Sequence, residues 1–402
     1  MVFTTNCGNQ ARSQVPGEVS EEQRADPVTE PAPAAAPVPA AHNTTSYLPL
    51  LRDKRLALLV NQTSTIGDVH LVDSLQSLGL DVKKIFAPEH GFRGDVDAGA
   101  TIKSGRDVRS GLPIKSLYGK SKKPSAADLA DIDAIVFDIQ DVGARFYTYI
   151  STLYYVMEAA ALHGKEVIIL DRPNPNGHLL DGPVLNPAFK SFVGIAPIPV
   201  SHGLTVGEFA SMTNGEGWLP DGIRAPLRIV PMQGYAHDQP YALPIPPSPN
   251  LPNLRSIYLY PSLCFFEGTA VSVGRGTNKQ FQLYGHPELS YGDVYFTPTP
   301  GPGSKYPKLQ GEPCRGVDFT DPPADIFRKA TLNLDHLVRA HADLSARGVD
   351  FFTSPEFFDK LAGSDRLRRD ILAGKSVAEI RAGWATELTR YRALRQQYLL
   401  YP

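Results

Sequence analysis

Four short apolar runs constrain the fold of this chain more than any other feature. They are Arg55-Leu56-Ala57-Leu58-Leu59-Val60-Asn61, Val82 to Phe86, Ala134-Ile135-Val136-Phe137-Asp138 and Val167-Ile168-Ile169-Leu170-Asp171. Each is short for a core helix and reads as a near-continuous apolar stretch, the pattern of a strand buried on both faces of a parallel sheet. Helical patterns lie between them. Leu71, Val72, Leu75 and Leu78 fall on one face and stop at Gly79, and Tyr147 to Leu162 is an apolar helix ended by His163-Gly164. Ser125 to Asp131 reads as a short helix. Thr205 to Met212 reads as another, with Thr205 as cap and Glu208 three residues on, the capping-box spacing. Strands alternating with helices predict an α/β fold with a parallel sheet covered on both faces.

The grammar changes near residue 255. Tyr258 to Phe266, Ala270 to Val273 and Phe281 to Leu283 read as short, aromatic-rich β runs, followed by a Pro/Gly-rich stretch from Thr297 to Pro307. Three helices close the chain, over Leu332 to Ala346, Phe357 to Ala362 and Val377 to Leu400. Ile380, Trp384, Leu388, Tyr391 and Leu394 share one face of the last, as core packing requires. The expected organisation is a Pro/Ala-rich linker over 1–45, a parallel-sheet domain over 46–254 and a smaller α+β domain over 255–402.

Composition excludes several classes of function. A net charge of −2 on 402 residues gives no basic footprint for nucleic acid. Three cysteines (Cys7, Cys264, Cys314) make neither a disulfide framework nor a zinc spacing, so no metal site is expected. The Gly-rich candidate Gly99-Ala100-Thr101 lacks the GxGxxG spacing, so no dinucleotide cofactor is expected. No GxSxG elbow or phosphate-binding P-loop is present. Cys7, followed by a polar, Pro-rich tether, resembles the start of a mature bacterial lipoprotein, although only Met1-Val2-Phe3 precede the cysteine region. This sets up the expectation of a lipid anchor at Cys7 and a periplasmic or envelope-associated protein.

The chemistry-bearing residues gather where strands end, which in open α/β sheets is where ligands bind. Asn61, Asp138 and Asp171 end three runs, and the fourth leads into Ala87-Pro88-Glu89-His90-Gly91-Phe92-Arg93-Gly94. A carboxylate on a Pro/Gly-pinned turn, with an imidazole and a guanidinium beside it, suits acid–base catalysis. The plainer alternative is a turn whose charges face water. In Asp138 to Tyr147, the acids Asp138 and Asp141 stand with Arg145 and Tyr147; the alternative is a helix start with acids complementing its dipole. Asp171 to Gly177 offers Asn174 on a stiff polar turn, and His202 precedes the Thr205 cap. Asn250 lies in the rigid Pro247-to-Pro252 crossing. Glu267 and Arg275 come from the second domain, where Gly274 and Gly276 let backbone approach a ligand.

Taken in order, Leu59 to Ser64, Ala87 to Gly94, Phe137 to Tyr149, Asp171 to Gly177, Pro247 to Asn250, Phe266 to Gly276 and Tyr398 to Tyr401 resemble the bacterial exo-acting β-N-acetylmuramidases. The resemblance runs from about residue 50 to the end, with small departures at Leu263-Cys264-Phe265 and in the 274–279 loop. It implies a Rossmann-like domain, a smaller second domain and a cleft between them. It also implies removal of N-acetylmuramic acid from the non-reducing end of peptidoglycan fragments, without metal or organic cofactor. Glu89 matches the family's suspected catalytic glutamate. Asp138 or Asp141 would be its partner, as base or by orienting the substrate's 2-acetamido group. Arg275 would meet the lactyl carboxylate of muramic acid, and Asn61, His90, Arg93, Arg145, Tyr147, Asn174, His202, Asn250 and Glu267 would contact substrate. The alternatives are another amino-sugar hydrolase using the same cleft and a non-catalytic cell-wall-binding lipoprotein.

Overall fold

A computed structural model describes residues 36–92, 105–119 and 121–402. Cys7, Arg93, Gly94 and Gly99-Ala100-Thr101 lie outside the described residues. The four apolar runs are strands: β1 (Leu56–Val60), β2 (Val82–Ala87), β5 (Ala134–Asp138) and β6 (Glu166–Leu170). They join β3 (Gly105–Arg106), β4 (Pro113–Ser116) and β7 (Leu227–Val230) in one seven-stranded sheet. Its order is β7-β6-β5-β1-β2-β4-β3, parallel except for β3. The six parallel strands follow the Rossmann order, with the topological switch between β1 and β5.

Alternation along each strand explains why the runs are apolar throughout. Ala57 and Leu59 of β1, with Ile135 and Phe137 of β5, face one apolar cluster. Leu56, Leu58 and Val60, with Ala134 and Val136, face another. Leu71, Val72 and Leu75 from the helix Leu71–Ser77 cover the second face. The helix Tyr149–His163 covers the first with Ile150, Leu153 and Met157 and ends at Gly164, whose φ of 61° supplies the left-handed cap. Thr205 and Glu208 form the capping box of the helix Val206–Gly215.

The first cluster does not stop at residue 255. It continues through Phe265 and Phe358 to Trp384 and Tyr391, and residues 36–402 form one compact unit. Polar ties reinforce it. The Arg145 Nη2 donates to the Leu361 carbonyl (2.9 Å), and the Tyr391 hydroxyl donates to the His202 carbonyl (2.9 Å). The Tyr401 hydroxyl donates to Asp171 Oδ2 (2.8 Å) at the end of β6.

Three local expectations fail for physical reasons. Residues 36–45, assigned to the linker by composition, pack on the sheet, with Ala40 and Ala41 fully buried and the Ala40 N–H on the Asp171 carbonyl. Of the three aromatic-rich runs, the third is strand only from Leu283, Ala270–Val273 makes just an isolated bridge at Ser272, and the run from Tyr258 is not β. It lies in the helix Leu254–Leu263, nucleated by an Asn253–Ser256 capping box, and continues as a 3-10 turn over Cys264–Gly268. Cap chemistry and packing outweigh the β propensity of aromatic residues there. The expected closing helix breaks at Gly383-Trp384 into Val377–Ala382 and Ala385–Arg395, while Ile380, Trp384, Leu388 and Tyr391 keep their expected place in the core. The second part also contains a three-stranded antiparallel sheet of β8 (Leu283–His286), β9 (Val294–Phe296) and β10 (Cys314–Asp318), ordered β8-β10-β9.

Candidate active site

A cavity of about 640 Å³ opens at the carboxyl end of the sheet, within the range of about 300–1,000 Å³ usual for small-ligand sites. Its walls come from distant stretches of the chain. The turn after β2 supplies Glu89 and His90, the start of the helix Tyr149–His163 supplies Phe146 to Tyr149, and the 248–251 crossing supplies Ser248 and Asn250. Residues beyond 255 close it with Tyr260, Glu267, Arg275, Phe281 and the segment Gly303 to Tyr306.

Pro88 to Gly91 is a tight turn closed by the Gly91 N–H on the Pro88 carbonyl (3.0 Å). Its third residue, His90, has φ of 67° and its fourth, Gly91, has φ of 81°. The left-handed region disfavours a histidine, so the turn holds local strain of about 1–3 kcal/mol beside a prospective reacting group. Glu89 is thereby presented half-buried into the cavity, where the Thr148 hydroxyl donates to its Oε2 (2.5 Å). Tyr147 and Tyr149 stand beside it, rings 4.9 Å apart and edge-on, and both hydroxyls donate to the Pro247 carbonyl (2.8 and 3.3 Å). Burial and the charge of Glu89 push the Tyr149 phenol up, so it stays a donor. On the other part of the chain, the Arg275 Nε donates to Glu267 Oε1 (2.9 Å), and its guanidinium lies 5.1 Å from the Phe281 ring centroid. The side-chain amide of Asn250 donates to the Gly303 carbonyl (2.9 Å), while its buried Oδ1 has no partner among the described residues.

The cavity therefore brings together Glu89, His90, Tyr147, Asn250, Glu267 and Arg275 from the sequence-derived set. Asp138, Asp141, Asn61, Arg145, Asn174 and His202 sit behind its wall. Asp138 is 0% exposed and takes both Nε and Nη2 of Arg172, the latter at 2.9 Å. Asp141 is 5% exposed and accepts the Gly143 N–H (2.7 Å); burial raises its carboxyl to about 7. His202 lies 4.0 Å from Asp141. Its Nδ1 accepts the Leu204 N–H, which puts the proton on Nε2, and burial lowers its pKa to about 3. Asn61 accepts the Thr63 N–H and hydroxyl in the turn after β1. Arg145 is fully buried and donates to three carbonyls (Pro183, Ile198, Leu361). Asn174 is spent on the Leu204 carbonyl and the Asn176 N–H.

Sequence reasoning passed over Thr148, Tyr149, Tyr260, Phe281 and the run Ser304-Lys305-Tyr306. A lone lysine and tyrosine inside a Pro/Gly-rich stretch were the available signal for the last. Cys264 reaches the cavity wall, but burial pushes its thiol far above the range of a reactive cysteine. Among the described residues no cluster of His, Cys, Asp and Glu has the grouping to hold a metal ion.

Known proteins resemble this chain over nearly its whole length. Residues 56–255 match the family model for the N-terminal part of exo-β-N-acetylmuramidase NamZ, and residues 258–401 match the model for its C-terminal part. The peptidoglycan β-N-acetylmuramidase NamZ of Bacillus subtilis (strain 168) is 37% identical over 381 residues, covering 88% of this chain and 89% of that protein. Two crystal structures of DUF1343 family proteins from Bacteroides fragilis NCTC 9343 share the fold. One has a TM-score of 0.84 at 44% identity, covering 91% of this chain and 99% of that one. The other has a TM-score of 0.78 at 30% identity, covering 92% and 100%. Matched in both halves of its sequence and in its architecture, the chain belongs to the exo-β-N-acetylmuramidase NamZ family of glycoside hydrolases.

Proposed function

We propose that this enzyme releases β-linked N-acetylmuramic acid from the non-reducing ends of peptidoglycan fragments, with Glu89 as the general acid. The observation that carries this reading is the placement of Glu89. It is the acid on the sheet side of the cavity, set on a strained turn, half-buried among aromatic rings and oriented by the Thr148 hydroxyl. A carboxylic acid in that setting protonates the leaving glycosidic oxygen.

Glycosidases ordinarily need a second group at the anomeric carbon. Asp138 and Asp141 are sealed behind the wall, and Glu267 is neutralised by Arg275. These facts favour the substrate's own 2-acetamido oxygen as internal nucleophile, with Asn250 Oδ1 free to accept the acetamido N–H. That route retains anomeric configuration. The substrate's origin argues for a place in the cell envelope, and a lipid on Cys7 would hold the enzyme there; a mass measurement on native protein lacking diacylglycerol would remove the anchor.

The test is hydrolysis of a chromogenic β-N-acetylmuramic acid glycoside by the wild type and by Glu89→Gln. Loss of a general acid costs roughly 10²–10⁴-fold. Equal rates from the two proteins would strip Glu89 of its role, and no release from wild type would favour a sugar-binding protein. NMR detection of the first-formed anomer decides the second group: retention supports the acetamido route, and inversion transfers the role to water activated by Glu267.

A further inference from the structure

Among the described residues, two acids and two strong bases line the cavity: Glu89, Glu267, Arg275 and Lys305. Arg275 and Glu267 neutralise each other at 2.9 Å, each side chain only 23% exposed. Glu89 Oε2 accepts the Thr148 hydroxyl (2.5 Å). Lys305 is left over. It pairs with no carboxylate among the described residues, and, though exposed, it lines a cavity otherwise walled largely by aromatic rings. A cation with no carboxylate partner among the described residues favours, on such a wall, an anionic group on the ligand.

The backbone that carries Lys305 is fixed, which separates it from an ordinary surface lysine. Gly301 and Ser304 exchange two hydrogen bonds (3.0 Å each), and the Gly303 carbonyl accepts the Asn250 amide (2.9 Å). Gly303 has φ of 80°, and a Cβ there would lie 2.8 Å from the Pro249 side chain. Three residues beyond Lys305, the half-buried Lys308 donates from Nζ to the carbonyls of Phe266 (2.8 Å) and Val271 (3.1 Å), and also reaches those of Glu267 and Thr269. The segment is thus fastened to the stretch that carries Glu267. The next residue, Tyr306, lines the cavity with 91% of its surface exposed. A bare aromatic ring beside a cation suits a sugar face with an acidic substituent.

We propose that Lys305 is the specificity-determining residue of this enzyme and receives the lactyl carboxylate of muramic acid, with Tyr306 packing against the sugar that bears it. The assignment rests on the muramidase reading above. In it Arg275 serves Glu267 rather than the substrate.

The test uses three glycosides with one chromogenic leaving group: N-acetylmuramic acid, its lactyl primary amide and N-acetylglucosamine. Wild type, Lys305→Met and Lys305→Arg are compared on each. A charge-assisted contact of this kind is worth about 10- to 100-fold. Lys305→Met is therefore expected to raise KM for the muramic acid glycoside by about that factor with little change in kcat, and to abolish the preference for acid over amide. Lys305→Arg should recover most of the preference. An equal loss on all three substrates would mark a structural role and overturn the assignment. Release from wild type with the preference intact in Lys305→Met would overturn it alone. No release by wild type from the muramic acid glycoside would remove the muramidase reading and this assignment with it.

Discussion

The acids that the sequence singles out divide into two populations that look alike in sequence. Glu89 and Glu267 face a cavity. Asp138, Asp141 and Asp171 sit at the ends of two neighbouring strands a few residues away in the fold, yet water does not reach them. Each of the buried three has been given a structural partner. Asp138 has Arg172; Asp141 has the Gly143 N–H; Asp171 has the Thr205 and Tyr401 hydroxyls and the Gly207 N–H. The lesson is that the edge of a Rossmann-like sheet places acids in a row, and only the depth of the following loop decides which of them can meet a substrate.

Substitutions can break or sharpen this division. Glu89→Gln should abolish most turnover, about 10²–10⁴-fold, while leaving the unfolding midpoint near wild type; a large fall in the midpoint would place Glu89 among the structural acids. Asp138→Asn should do the reverse. It strands the buried Arg172 guanidinium, a loss of about 3–5 kcal/mol in stability measurable by denaturant unfolding. Near-normal stability in that variant would dissolve the distinction.

Asp141 gives a subtler test through pH. Its folded carboxyl titrates near 7 against an ordinary value of 3.8. Between those values the unfolded chain has lost the proton and the native protein keeps it, so the stability that the neutral acid confers is present below about pH 4 and lost as pH rises to 7. Asp141→Asn cannot ionise and still accepts the Gly143 N–H. Its stability relative to wild type should climb by about 1.4 kcal/mol per pH unit across that window, to a ceiling of about 4 kcal/mol, and stay level above it. A gap that does not move with pH would show that Asp141 titrates normally. The smallest effect is expected at Gly143, where φ is 74° and a Cβ would fall 2.4 Å from Asn174 Oδ1. Gly143→Ala should cost about 1–3 kcal/mol without changing KM, because Asn174 serves the turn and not the ligand; a selective rise in KM would bring Asn174 back to the substrate.

Much of this was legible beforehand. Strand positions follow from apolar runs that need no tertiary context, and the Thr205–Glu208 cap and Gly164 stop are local chemistry. Glu89 was legible because proline and glycine pin the turn that follows a strand. What the sequence could not show was depth. Asp138 is the last residue of its strand, paired in register with Val60, so the sheet buries it. Lys305 and Tyr306 were hidden for the opposite reason. Their loop takes its shape from Asn250, Gly276 and the carbonyls around Lys308, all distant in sequence or fixed only by folding. The helix Leu254–Leu263 was misread because aromatic residues favour strands in general, and only its cap says otherwise.

The ties described for Arg145, Tyr391 and Tyr401 bear on how the two matched sequence regions relate. Cut near residue 255, the sheet half would keep Glu89 but lose the carbonyl of Leu361 that satisfies a fully buried guanidinium, and the hydroxyl that Asp171 accepts. The other half would lose the His202 and Gly203 carbonyls on which its closing helix rests. The two matched regions are, energetically, one object, and neither is a module to be transplanted.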